Sequence, residues 1–183
     1  MLTIEIPASN GELFDEKTNE FLYLPAVTMY LEHSLISISK WEMLTHKAFI
    51  DPTTEHRSIE DTLLYIQCMT LNPSDVPPDS YKRLTQEHIS KIENYMEDPM
   101  TATVINHGPN KPQGPRKKMT NEEIYQLMIV NGIPVEFEKW NINRLMTLID
   151  VCQIKGQPPK KMGKNEALEY QRQLNQARRA KHK

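Results

Sequence analysis

The groups this 183-residue chain could turn to chemistry are six histidines, two cysteines and the seventeen acidic residues of its first hundred positions. His33, His46, His56, His88, His107 and His182 include no pair at HxxxH or HExxH spacing, and no CxxC occurs. A local zinc motif is therefore missing from the sequence. A site built from His33, His46 and His56 would need the fold to gather them, and the simpler expectation is surface histidines on strands and loops. Cys68 and Cys152 each sit alone inside a helix-like apolar pattern, which predicts small buried hydrophobes in a reduced compartment. Cys68 in such a setting is expected to be an inert thiol rather than a nucleophile. Neither GxGxxG nor GxxxxGK[ST] is present, so no phosphate cradle is predicted. These readings together predict no enzyme, no cofactor and no metal.

The basic residues carry the stronger pattern. Residues 1–100 hold 7 Lys/Arg against 17 Asp/Glu, residues 101–154 hold 6 against 5, and residues 155–183 hold 9 against 2. An acidic body with a basic arm predicts docking onto another molecule: a second copy, a different acidic protein or nucleic acid. Lys111, Arg116, Lys117 and Lys118 form one cluster. Lys160, Lys161, Lys164, Arg172, Arg178 and Arg179, with Lys181 and Lys183, form another, interleaved with Tyr170 and Leu174. Phosphate contacts would use these cations, with a salt-dependent affinity. Yet the tail has one aromatic and no recognisable nucleic-acid-reading module, so a protein partner is the preferred expectation.

The elements that must position these groups follow from patterning. Leu2, Ile4 and Ile6 alternate with polar residues and predict a short strand closed by Pro7. Segments 12–14 and 20–24 flank a polar turn and predict a hairpin. The run from Val27 to Trp41, including LEHSLISISKWE at 31–42, is rich in Thr, Val, Ile and Tyr, and predicts a further, central strand apolar on both faces. From Ser58 the periodicity becomes helical. Ser58 and Thr85 are predicted caps, Thr120 with Glu123 a capping box, and Phe137 to Cys152 the strongest helix. Ile59, Leu63, Ile66 and Met69 are the predicted inward face of the first of these helices. The stretch PSDVPPDS predicts an extended linker. Residues 106–118, NHGPNKPQGPRKK, predict an exposed mobile basic loop. Trp41 and Trp140, the only tryptophans, are both expected in the core.

The fold class predicted is α+β: an N-terminal antiparallel sheet of roughly four strands on about four helices, with a protruding basic C-terminal helix. Residues 1–156 form the core domain and 157–183 the basic helical tail, detached at Gln157-Pro158-Pro159. Hydrophobic residues at 38% allow a modest core. No run of about 18 apolar residues occurs and the N-terminus lacks a signal-peptide pattern, so no membrane association is expected.

At LEHSLISISKWE, DTLLYIQCMTL, FEKWNINRLMTLIDVC, PPKKM and LNQARRAKHK, the chain resembles a family of small proteins encoded in the structural gene clusters of tailed bacteriophages. The likeness runs from about Leu31 to the end. It implies a tail morphogenesis factor of the tail assembly chaperone kind: a non-enzymatic partner of other tail proteins, the tape-measure protein among them, in the host cytoplasm. Two alternatives stand beside it. One is a structural virion protein of the neck or tail; the other is a nucleic-acid-binding protein using the basic tail. Self-association is a further possibility that the charge split allows.

Overall fold

The computed structural model describes residues 1–9, 13–15, 19–22, 24–52, 57–105, 118–156 and 172. The chain divides into two units, Met1–Val151 and Cys152–Lys183. All the packing below lies in the first.

The fold is α+β. Strands β1 (Leu2–Ile6), β2 (Leu13–Asp15), β3 (Glu20–Leu22) and β4 (Val27–Leu31) precede helices α1 (Leu35–Thr45), α2 (Ile59–Met69), α3 (Gln86–Glu97), α4 (Asn121–Val130) and α5 (Ile142–Gly156). Instead of one sheet, the strands make two antiparallel pairs, β1 with β4 and β2 with β3. In the first pair Ile4 lies opposite Met29 and Ile6 opposite Val27, all four buried on one face. The alternation that predicts β1 therefore reports a real one-sided burial. The outer edge of β4 is held by the chain leaving α2: Leu71 N donates to Tyr30 O at 2.8 Å, and Glu32 N to Met69 O at 3.0 Å.

The largest correction concerns 31–42. The strand stops at Leu31 and the chain turns into α1. Ser34 decides this. Its backbone is extended, and its side-chain oxygen accepts from Ser37 N at 3.3 Å, the signature of an N-cap. Leu35, Ile38, Trp41 and Glu42 then fall on one buried helical face, although β-branched Ile36 and Ile38 favour strand by propensity. His46, in the left-handed conformation, ends the helix with its N–H on Glu42 O.

The later elements follow their predicted signals. Ser58 caps α2 and Thr85 caps α3, and in α4 Thr120 N donates to Glu123 Oε2 at 3.0 Å. Gly132, at φ +65°, lets the chain leave α4 in a conformation that side-chain-bearing residues rarely adopt. Four further expectations are revised. Ile59 is exposed, and the buried face of α2 is Tyr65, Ile66, Cys68 and Met69. The Pro-rich stretch after α2 is not a loose linker but two 3-10 turns, Pro73–Asp75 and Pro78–Arg83, which bury Val76, Ser80 and Tyr81. Residues Val135–Lys139 are a 3-10 turn, so α5 begins only at Ile142. Finally, Trp41 is 2% exposed and anchored through Nε1 to Asp61 O at 3.0 Å. Trp140 is only half-buried, stacked on Phe137 with ring centroids 4.1 Å apart and with Arg144 on its ring.

Candidate functional site

Where β4 hands over to α1, His33 is carried inward at 5% exposure. Its carbonyl accepts from Ile142 N at 2.7 Å, so the start of α5 fixes the backbone there. Its ring meets the buried face of α2: Nδ1 lies 2.5 Å from Tyr65 Oη, with the two rings edge-on. Burial, helped by the Arg57 charge, lowers the His33 pKa to about 4, so the ring is neutral at physiological pH. Burial also pushes the Tyr65 hydroxyl well above its ordinary value, and it keeps its proton.

Phe49 ties a third group to this pair. Its ring packs on Tyr65 at 4.2 Å and on Trp41 at 5.4 Å. The Arg57 guanidinium covers it, 3.9 Å from the ring centroid, and Nη2 donates to Phe49 O at 2.7 Å. Arg57 stands immediately before the Ser58 cap, so the start of α2 sets its place. A cavity of about 440 Å³ opens beside these groups. Thr62, Tyr65 and Ile66 of α2 form one wall; Ile89, Ile92, Glu93, Met96 and Glu97 of α3 form the other, with His33 and Arg57 between them.

A second buried polar centre is structural. Glu42 on α1 accepts through Oε1 from Phe49 N at 2.7 Å, and through Oε2 from Asn121 N and Nδ2. One carboxylate thus joins α1, the loop after it and the first turn of α4, where the helix dipole favours negative charge.

Of the residues predicted to bind a partner, only Arg172, which is exposed, and Lys118 are among those described. Lys118 is largely exposed, with its Nζ 3.0 Å from Asp51 Oδ2, and next to it Met119 N donates to Ile50 O. Lys111, Arg116 and Lys117 of the basic loop lie outside the described residues. So do Lys160, Lys161, Lys164, Tyr170, Leu174, Arg178 and Arg179 of the tail. Cys68 is buried and its thiol pKa is raised by that burial. Among the described residues, no three His, Cys, Asp or Glu side chains are grouped to hold a metal ion. No described helix is long and apolar enough to cross a membrane. Sequence reasoning missed the His33, Tyr65 and Arg57 cluster, because it assigned His33 to a strand surface and Tyr65 to no face. A signal was present in the Tyr65-Ile66-Cys68-Met69 phasing.

The framework so defined is a small α+β domain with an amphipathic cavity between α2 and α3. No known protein family, curated protein or solved structure matches this chain.

Proposed function

We propose that this chain is a non-enzymatic assembly factor of a bacteriophage tail, working through protein–protein contacts in the host cytoplasm as a tail assembly chaperone does. The observation that carries this reading is an apolar surface left in water around one turn. Ile129 and Val130, in the last turn of α4, are 78% and 72% exposed, and Val135, just beyond the Gly132 turn, is 58% exposed. These are three branched aliphatic side chains within seven residues, and exposed apolar surface of this kind can serve as an interaction site. A helical partner laying an apolar stripe across the turn would remove them from water. The acidic body and basic 155–183 segment would add electrostatic steering toward partners of matching charge.

Co-expression with the tape-measure protein of the same gene cluster tests this. The chain should co-purify with it and keep it soluble. An Ile129→Asp, Val130→Asp double variant should stay folded, since both positions are exposed, yet lose the complex. A complex that survives the double variant would remove this surface from the reading. Failure of the wild-type chain to form any complex would remove the reading itself.

A further inference from the structure

The His33 cavity has the features of a small-molecule site. At about 440 Å³ it is in the range of ligand pockets, and Ile66, Ile89, Ile92 and Met96 give it apolar walls. Its polar lining combines the His33 ring, the Tyr65 and Thr62 hydroxyls and the Arg57 guanidinium with the Glu93 and Glu97 carboxylates. Among the described residues Tyr65 Oη has His33 Nδ1 as its hydrogen-bond partner, so the buried hydroxyl is satisfied when it donates to Nδ1. The neutral ring then carries its proton on Nε2. Among the described residues no group bonds to that nitrogen, and His33 lines the cavity, so Nε2 is the ring donor available to a ligand there. Arg57 supplies a second donor and a positive charge, held by the Phe49 ring and carbonyl.

We infer that this cavity binds a small monocarboxylate with a branched apolar body, its carboxylate between Arg57 and His33 Nε2 and its hydrocarbon against α3. A charge-assisted bond to the guanidinium and a neutral donor beside it suit one carboxylate. Glu93 and Glu97, one turn apart and both exposed, make an acidic collar at the mouth. The collar repels a dianion such as phosphate more than it repels a monoanion.

The test titrates the full-length chain with 4-methylpentanoate, its neutral amide and inorganic phosphate, following the His33 ring nitrogens by NMR and the heat by calorimetry. The carboxylate should saturate in the millimolar range and shift Nε2. The amide should bind at least tenfold more weakly, and phosphate should leave Nε2 unmoved. Arg57→Gln should weaken the carboxylate at least tenfold. Because Arg57 also holds Phe49, Ile89→Trp provides a second variant: it fills the cavity from a half-buried position and should block binding while the thermal transition persists. No saturable Nε2 shift with 4-methylpentanoate, equal binding of phosphate, or unaltered carboxylate binding in Ile89→Trp would each overturn the assignment.

Discussion

One oxygen of the Glu42 carboxylate takes two hydrogen bonds from Asn121, at 2.8 Å from the backbone N–H and 2.6 Å from Nδ2. The two residues are 79 positions apart, and both are buried. With Phe49 N on the other oxygen, three donors converge on a charge that has left water. Glu42→Gln puts an amide NH₂ where one acceptor was, facing a donor it cannot satisfy. The expected loss is about 2–4 kcal/mol in urea unfolding, from weakened hydrogen bonds to the former carboxylate and a buried donor left without a partner. A loss below about 0.5 kcal/mol would mean the clamp is not part of the fold's stability.

His33 makes stability depend on pH in a definite direction. Its pKa is about 4 in the folded chain, against 6.5 for a free histidine. As pH falls below 6.5 the unfolded chain takes up this proton while the folded chain does not, so stability is full above 6.5 and declines down to about 4. The total effect is about 3 kcal/mol. Urea midpoints at pH 7.5, 5.5 and 4 should drop more steeply for the wild type than for His33→Gln. Parallel declines in the two proteins would assign the dependence to other groups.

The two tryptophans should separate in the same assay. Trp41→Ala removes a ring that is packed on Phe49 and bonded to Asp61, with an expected cost of about 3–5 kcal/mol. Trp140→Ala removes a half-buried ring on Phe137 and Arg144, and should cost about 1–2 kcal/mol. Equal costs would contradict the difference in burial.

Ser34 should matter beyond its size. Ser34→Ala removes the α1 cap and the 3.0 Å contact of Ser34 Oγ with Ser37 Oγ, at a cost of about 1–2 kcal/mol. Circular dichroism together with urea unfolding would measure this. No change would mean that α1 is held by its packing alone.

The local code was readable wherever side chain and backbone agree. Alternation at Leu2, Ile4 and Ile6 predicts β1, and Ser58, Thr85 and Thr120 mark their helices, because a cap is written within four residues. It failed at 31–42, where Ile36 and Ile38 continue the strand-like composition that begins at Val27. There, burial of Leu35, Ile38 and Trp41 at helical spacing, with a serine cap, overrides that preference. The cavity was illegible for a different reason. His33, Arg57 and Tyr65 come from a strand end, a loop and a helix, and only the tertiary packing of both rings and the guanidinium against Phe49 gathers all three.

The most direct measurement of the proposed assembly role is quantitative mass spectrometry of purified virions from a phage encoding this chain, beside the infected-cell lysate. An assembly chaperone would be abundant in the lysate and absent from the particle. Stoichiometric copies in the particle would contradict that role and make the chain a structural component of the virion.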